Sequence, residues 1–329
     1  MRAVVCEGRP PSAPVMRWQE VSDLPLPGPD EVLIDVAAAG VNRADLLQRR
    51  GFYPPPPGES DVLGLECSGR IRAVGADVTG WAVGDEVCAL LAGGGYAESV
   101  LVPAGQVLPI PAGVDLVTAA GLPEAAATVV SNLSRTAQLQ PGEWLLVHGG
   151  GSGIGTFAVQ YAAALGARVI VTAGSDEKLA RCSELGATVG INYLTQDFVA
   201  EVKAATHGHG ADVILDIIGA KYLEPNVRAL AVGGRLVVIG LQGGVRGELD
   251  LGQLLRSQGT IAATSLRFAP ADVKAEVCAQ VVAQVWPMIS DGTITPVIDR
   301  VVAIAEVAAA HDVLENSANV GKVLLQVAD

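Results

Sequence analysis

The sequence predicts an α/β fold with a doubly wound, six-stranded parallel sheet and a second domain rich in β-strands. Two observations carry this prediction. From residue 144 to residue 265, short apolar runs alternate with helical patterns, which is typical of a parallel sheet covered by helices. Before residue 120, short apolar runs follow one another closely between Gly, Pro and Asp residues, which indicates a barrel or a sandwich.

The β-rich domain is predicted to comprise residues 1–123 and 266–329. Its expected strands are residues 1–6, 32–36, 69–74, 86–90 and 97–102, and a helix at 123–139 leads out of it. After residue 265 we expect a helix at 271–289, a strand at 299–302, a helix near 305–315 and a strand at 323–327. We expect this last strand to return to the β-rich domain.

The parallel sheet is predicted within residues 124–265. Its six strands are expected at residues 144–148, 168–172, 188–192, 213–217, 235–240 and 260–265. The last strand is apolar and lacks the Lys or Pro that would protect an unpaired edge. We therefore expect a homodimer that pairs this strand across a two-fold axis, with an edge covered by a neighbouring loop as the alternative.

A glycine loop links the first of these strands to a helix pattern. Its sequence is His148-Gly149-Gly150-Gly151-Ser152-Gly153-Ile154-Gly155, and Thr156 stands where the strict G-x-G-x-x-G motif has its third glycine. Strand, loop, helix and second strand fit within about 30 residues, the size of one dinucleotide-binding βαβ unit. A loop that only joins strand to helix is the alternative interpretation.

The end of the second strand favours NADPH over NADH. An NAD site usually carries Asp or Glu there, but the strand ends Val171-Thr172-Ala173. Ser175 and Lys178 follow and supply donors suited to a 2′-phosphate, although Ser175 is also a good helix N-cap and Lys178 could be an ordinary surface residue.

Composition and charge exclude several classes of protein. The net charge is −13, which argues against nucleic-acid and anionic-membrane partners. The five cysteines are scattered without a C-x-x-C motif, which indicates reduced thiols. The N-terminus is predicted to be a strand and not a signal peptide, and no apolar run reaches membrane-spanning length. We therefore expect a cytoplasmic protein.

Five motifs then occur in order along the chain. They are Asn42-Arg43-Ala44-Asp45, Gly64-Leu65-Glu66-Cys67-Ser68-Gly69, Val83-Gly84-Asp85-Glu86-Val87, Gly95-Tyr96-Ala97-Glu98 and the glycine loop. On these motifs the chain resembles the medium-chain dehydrogenase/reductase superfamily, and within it the zinc-free quinone oxidoreductases. Residues 42–46, 51–58 and 172–175 are most similar to the p53-inducible quinone oxidoreductase subgroup. The resemblance implies a GroES-like barrel for the β-rich domain and a Rossmann fold for the other.

Departures from the alcohol dehydrogenases imply that no zinc is bound. Those enzymes hold catalytic zinc through Cys and His. In this chain Asn42 stands where the first Cys would be, and Leu65 replaces the His of their Gly-His-Glu motif. Glu66 remains, but a single carboxylate does not make a zinc site. The four-cysteine lobe that holds structural zinc is also absent from the sequence.

The resemblance also implies the site residues. Asn42, Asp45 and Tyr53 would be catalytic, with Asn42 bonding the nicotinamide carboxamide or ribose and Tyr53 lining the substrate cleft. A turn Asn, a helix-start Asp and a packing Tyr are the other interpretations. The residues expected to bind the cofactor are Asn42, Leu46, Tyr53, Thr128, Gly153, Ile154, Gly174, Ser175, Lys178, Tyr193, Leu241, Gln242, Gly243, Leu266, Arg267 and Asn319.

These observations favour an NADPH-dependent quinone reductase acting on a quinone or another planar electrophile. Two alternatives stay open. A 2-enoyl thioester or alkenal reductase would use Tyr53 as a proton donor, and for a carrier thioester it would need a basic groove that only Arg43, Arg49 and Arg50 offer. An NADPH-binding protein without catalytic activity is the alternative from a different class.

Overall fold

The computed structural model describes residues 1–8 and 14–327, which form two compact units. Unit 1 comprises Met1–Ala127, Leu266–Gly292 and the chain from Pro296 onward. Unit 2 comprises Thr128–Ser265 and Thr293–Thr295. The chain first passes from unit 1 to unit 2 after Ala127, four residues beyond the predicted boundary at 123. The short return of Thr293–Thr295 to unit 2 was not expected from the sequence.

Among the described residues, unit 1 begins with seven strands and three short helices, the last of which extends into unit 2. The strands are β1 (Arg2–Glu7), β2 (Val15–Glu20), β3 (Glu31–Val41), β4 (Glu66–Val74), β5 (Glu86–Leu90), β6 (Ser99–Pro103) and β7 (Val107–Pro109). The helices are α1 (Arg43–Arg49), α2 (Leu116–Ala119) and α3 (Pro123–Val129). The chain continues from α3 in wider, π-type turns over Val130–Thr136, so the single helix predicted at 123–139 is divided.

Unit 2 contains the predicted parallel sheet. Its strands are β8 (Trp144–His148), β9 (Arg168–Ala173), β10 (Val189–Asn192), β11 (Ala211–Asp216), β12 (Leu230–Val238) and β13 (Thr260–Ala263). They lie in the order β10-β9-β8-β11-β12-β13, and every neighbouring pair is parallel. The helices between them are α4 (Gly153–Ala164), α5 (Asp176–Glu184), α6 (Phe198–Ala205), α7 (Leu223–Ala229) and α8 (Leu251–Ser257). The predicted fold class is confirmed.

The chain then returns to unit 1. The returning elements are α9 (Ala271–Gln284), α10 (Trp286–Ser290), β14 (Ile298–Ala303), α11 (Val307–Glu315) and β15 (Lys322–Gln326). Strand β15 pairs antiparallel with β3, which completes a sheet of order β14-β15-β3-β4-β5-β7, with β6 also on β3. This pairing brings the last strand beside Asn42, which follows β3 and caps the start of α1.

Each unit has its own apolar core. In unit 1 the buried faces of β3, β4, β5, β6 and β15 pack together, and in unit 2 the strands β8–β12 pack against α6 and α7. Over residues 1–8 and 14–327, no helix combines the length and the apolar character needed to cross a bilayer.

Candidate functional site

The glycine loop of unit 2 connects the end of β8 to the start of α4. Gly149 has a φ of 73°, and the Ser152 hydroxyl oxygen caps the helix by accepting a hydrogen bond from the Gly155 N–H at 2.9 Å. A Cβ atom on Gly155 would lie 2.3 Å from the Gly149 carbonyl oxygen, so this position requires glycine. Gly153 and Ile154 open the helix at its positive dipole end, a position suited to an anion, and their contact with a pyrophosphate stays a prediction.

A chain of hydrogen bonds beneath this loop holds its first residue. The Gly149 N–H donates to the Thr172 hydroxyl oxygen at 3.3 Å, and His148 lies between that oxygen (Nδ1, 3.1 Å) and Asn226 Oδ1 (Nε2, 2.7 Å). The Asn226 amide oxygen can only accept, so Nε2 carries the ring proton and donates to it. Nδ1 is then an acceptor, and the Thr172 hydroxyl donates to it. Burial lowers the pKa of His148 to about 4. The ring is therefore neutral at physiological pH and supports the loop.

The residues expected at the 2′-phosphate lie beside the glycine loop. The Lys178 side chain runs along Gly151, since a Cβ atom on that glycine would stand 3.1 Å from Lys178 Cδ. The Ser175 hydroxyl oxygen accepts a hydrogen bond from the Lys178 N–H at 3.4 Å and caps α5. The Tyr193 hydroxyl lies over Gly174, 2.6 Å from where a Cβ atom would be. The structure therefore brings these predicted residues together at one edge of the sheet.

A second loop at the carboxyl edge of the sheet contains Leu241, Gln242 and Gly243. Leu241 and Gln242 are exposed, and the Gly243 N–H donates at 2.6 Å to the Ile218 carbonyl oxygen in the loop after β11. Asp216, at the end of β11, accepts hydrogen bonds from the backbone of that same loop, and burial raises its pKa to about 6. Ligands of doubly wound sheets bind at this edge.

These features of unit 2 fit a nicotinamide dinucleotide. The glycine loop leaves no room for a side chain at Gly155, and a helix N-terminus follows it directly. Strand β9 ends at Ala173 without a carboxylate, and the next acid along the chain, Asp176, accepts a hydrogen bond from Asn192 Nδ2 at 3.0 Å.

Unit 1 contains a buried polar cluster at Asn42, Glu66 and Lys322. The Lys322 ammonium donates to a Glu66 carboxylate oxygen and, at 2.7 Å, to the Asn42 amide oxygen. Asn42 Nδ2 donates at 2.9 Å to the same Glu66 oxygen. The three residues are 8%, 0% and 6% exposed, so the ion pair is shielded from water and from salt. We call this arrangement the Asn42–Glu66–Lys322 cluster.

Asp45 organises the backbone around that cluster. Its carboxylate accepts hydrogen bonds from the N–H groups of Asn42 at 2.8 Å and Gly64 at 3.1 Å, and from the Tyr96 hydroxyl at 3.0 Å. Burial raises the pKa of Asp45 to about 6. His311 lies 3.3 Å from the same tyrosine hydroxyl, and burial lowers its pKa to about 3. These contacts give Asp45 a positioning role, and its catalytic role stays a prediction.

Tyr53 is held by residues that follow the sixth predicted strand. Its ring packs edge-on against Phe268 at 5.4 Å, and the Arg267 guanidinium lies 5.2 Å from the ring centre. The guanidinium also donates to the carbonyl oxygens of Ala92 and Tyr53 and to Gln48 Oε1. Arg267 therefore braces the Tyr53 loop, while a contact of Arg267 with the cofactor stays a prediction.

The four remaining residues that are expected to bind the cofactor differ in how deeply they are buried. Leu46 is fully buried in the core of unit 1, and this burial speaks against direct contact with a ligand. Thr128 is 7% exposed, and Leu266 and Asn319 are partly buried, with Asn319 Nδ2 donating to the Gly321 carbonyl oxygen. Their roles in binding stay predictions.

Comparison with known families agrees with both units. The alcohol dehydrogenase GroES-like domain model matches residues 28–112, and the zinc-binding dehydrogenase model matches residues 153–282. The rat (Rattus norvegicus) quinone oxidoreductase is 30% identical over 94% of this chain and 93% of its own length. The chain belongs to the medium-chain dehydrogenase/reductase superfamily. Within this superfamily it is quinone oxidoreductase-like.

Other members of the superfamily are similar to this chain over most of its length. A 2-haloacrylate reductase from a Burkholderia species is 34% identical over 75% of each chain. The Escherichia coli quinone oxidoreductase complexed with NADPH is 28% identical, with a TM-score of 0.88 over 99% of both chains. The CurK enoyl reductase is 28% identical, with a TM-score of 0.85 over 99% of this chain and 98% of its own. An NAD-dependent alcohol dehydrogenase is 32% identical, with a TM-score of 0.87 over all of both chains.

The matching dehydrogenase model is described as zinc-binding, but the Asn42–Glu66–Lys322 cluster does not fit a zinc ion. Asn42 supplies a neutral amide, Leu65 is apolar and buried, and the Glu66 carboxylate is paired with an ammonium group that would repel a metal cation. Within residues 1–8 and 14–327, no group of three or more His, Cys, Asp or Glu side chains could hold a metal ion.

Sequence reasoning missed Lys322, which belongs to this cluster, and two polar residues near it, His311 and Glu124. The sequence predicts a last strand that begins only at residue 323, after Lys322, and it places His311 and Glu124 in helices without a role. The Glu124 N–H donates to Glu66 at 2.9 Å, and burial and the Glu66 charge raise the pKa of Glu124 to about 8. One sequence signal was available for Lys322, because a single cation directly precedes the apolar run Val323-Leu324-Leu325.

Proposed function

We propose that this chain is a cytoplasmic, homodimeric NADPH:quinone oxidoreductase that works without zinc. The observation that carries the proposal is the Asn42–Glu66–Lys322 cluster, which neutralises a buried carboxylate with an ammonium group instead of a metal. A site without a strong Lewis acid suits an acceptor that can be reduced without a metal ion to stabilise its developing negative charge. A quinone is already electrophilic, and its ring stabilises the reduced oxygen.

The residues of the chain would bind and orient the reactants. NADPH, when bound, supplies a hydride. The first turn of α4 would hold the pyrophosphate and Lys178 the 2′-phosphate, while Asn42 would contact the nicotinamide end. Tyr53 would offer an aromatic surface to a planar substrate.

Reduction of a 2-enoyl thioester or an alkenal is the second candidate. It is favoured by the similarity to the CurK enoyl reductase and the 2-haloacrylate reductase. A carrier thioester would need a basic groove, but Arg49 and Arg50 pair with Glu315, and Arg43 donates to the Leu314 carbonyl oxygen at 2.6 Å. This pairing favours quinones over carrier-bound thioesters.

A panel of acceptors tests the proposal. Purified protein would be assayed for NADPH oxidation with 1,2-naphthoquinone, 9,10-phenanthrenequinone, a crotonyl thioester, an alkenal and no acceptor, each with and without a chelator. We expect oxidation with the quinones, unchanged by the chelator, and no stoichiometric zinc by metal analysis. Faster turnover of the thioester or alkenal would support the second candidate. NADPH binding without turnover of any acceptor would support a non-catalytic binding protein.

Lys178→Ala tests the preference for NADPH. We expect it to weaken NADPH binding by about 1–3 kcal/mol, the scale of a lost charge-assisted hydrogen bond, and to leave NADH binding unchanged. Arg181→Ala is a matched control, because Arg181 lies on the same helix and pairs with Glu184. Titration of cofactor fluorescence measures the dissociation constants of both cofactors for the wild type and for each variant. Equal losses for both cofactors, or a wild type that prefers NADH, would contradict the assignment.

The proposed dimer depends on the outer edge of β13. The Thr264 N–H donates to the Val238 carbonyl oxygen on β12. Because N–H directions alternate along a strand, the Ala262 N–H also points toward β12, whereas the Ala263 N–H points away from it. We expect Ala263→Pro to shift the protein toward monomer without opening its own sheet, and Ala262→Pro to lower the melting temperature as well. Light scattering checks both, and a monomeric wild type at micromolar concentration would refute the dimer.

A further inference from the structure

Lys322 is a buried cation whose hydrogen bonds are fully satisfied. Its ammonium group has three N–H donors, and three acceptors surround it: a Glu66 carboxylate oxygen, the Asn42 amide oxygen at 2.7 Å and the Val41 carbonyl oxygen at 3.3 Å. The side chain is 7% exposed. Such a group is costly to bury unless its partners are fixed, so this cluster is an organised element of unit 1.

The surroundings of Glu66 are shaped to the same cluster. One carboxylate oxygen accepts from Lys322 and Asn42, and the other accepts from the Glu124 N–H at 2.9 Å. On strand β3, a Cβ atom at Gly40 would lie 2.1 Å from Glu66 Oε1. Glycine at position 40 therefore allows the carboxylate to reach Asn42 and Lys322.

The cluster determines which way the Asn42 amide faces. An ammonium group can only donate, so the Asn42 atom beside Lys322 must be the oxygen. The amide nitrogen then directs its hydrogens to Glu66 and, at 3.4 Å, to the Gly40 carbonyl oxygen. The amide nitrogen is thus committed to Glu66 and Gly40 and offers no donor to a ligand. Toward a ligand, this side chain is therefore a hydrogen-bond acceptor.

We propose that Lys322 is a positioning residue that replaces a metal ion at this site and fixes Asn42 as an acceptor for the N–H of the nicotinamide carboxamide or a ribose hydroxyl. The inference rests on the proposed function, because it takes NADPH as the ligand. It assigns to Lys322 two separable tasks. The ammonium neutralises Glu66, and it orients Asn42.

Two variants separate these tasks. Lys322→Met leaves the buried Glu66 carboxylate without a countercharge, so we expect a melting temperature lower by roughly 5 °C or more and weaker NADPH binding. Lys322→Met combined with Glu66→Gln removes both charges and keeps the volume filled. We expect this double variant to regain most of the melting temperature but to bind NADPH about tenfold more weakly than wild type. Lys322→Arg, which keeps the charge, should lie between wild type and the double variant in affinity.

Thermal unfolding and NADPH titration without an acceptor provide both measurements. A double variant with wild-type affinity for NADPH would show that Lys322 only neutralises Glu66, and would overturn the inference. A double variant as unstable as Lys322→Met would overturn the division into two tasks. If the wild type binds NADPH but reduces no quinone, the proposed reaction fails while the role of Lys322 stands on the titration alone.

Discussion

Tyr53→Phe is expected to leave quinone reduction close to the wild-type rate and to abolish most reduction of enoyl substrates. The ring of Tyr53 packs against Phe268 and lies near the Arg267 guanidinium, and phenylalanine can keep both contacts. For a quinone, the ring supplies a surface only. An enoyl substrate needs a proton at carbon after hydride attack, and loss of a positioned proton donor costs about 10²–10⁴-fold in rate.

Steady-state kinetics with a quinone and with a crotonyl thioester check this expectation. Phe268→Leu is the matched control, because it removes the edge-on ring contact and leaves the Tyr53 hydroxyl in place. It should affect both substrates alike. A loss of 10²-fold or more with the quinone in Tyr53→Phe would show that the hydroxyl takes part in quinone reduction, contrary to the proposal.

The fold of unit 2 could be predicted because its determinants are local in the sequence. Strand β8 has the predicted bounds, and the glycine loop lies between a strand and a helix, as expected. The loop differs in one detail. The glycine that packs against the backbone is Gly155, one position before Thr156, so the missing third glycine of the strict motif has no structural consequence.

Errors in element boundaries also have local causes. A single helix was expected at 271–289, but the chain contains α9 and α10, separated at Val285. Pro287 lies in the first turn of α10, where its missing N–H costs nothing, and it cannot sit in a continuous helix interior. Pro287 is visible in the sequence as a helix breaker, but the helical periodicity on both sides of it favoured a single helix.

The candidate site of unit 1 was harder to predict because its contacts join distant parts of the chain. Lys322 and Glu66 are 256 residues apart, and the Tyr96 hydroxyl contacts Asp45 and His311 across 51 and 215 residues. Asn42, Glu66 and Tyr96 were found as parts of motifs. The partner of Glu66 depends on the pairing of β15 with β3, which no pattern of spacing encodes.

Gly155→Ala is expected to cost both stability and cofactor binding. A Cβ atom there would lie 2.3 Å from the Gly149 carbonyl oxygen and 2.7 Å from that of Gly150. Both are backbone atoms of the loop that His148 and Thr172 stabilise through hydrogen bonds, so displacing them costs free energy. We expect a loss of about 3 kcal/mol in the free energy of unfolding, at the upper end of overpacking effects.

Cofactor affinity should also fall, by about 100-fold, because the displaced carbonyl oxygens would distort the first turn of α4, where the anion is expected to bind. Gly252→Ala is the matched control. Gly252 also lies in the first turn of a helix of unit 2, and a Cβ atom there would come no closer than 3.1 Å to any neighbour, the Asp250 carboxylate. Denaturant unfolding and NADPH titration measure both effects. If Gly155→Ala bound NADPH like the control, the glycine loop would not be the pyrophosphate site, since a loop that tolerates this displacement is not in contact with the ligand.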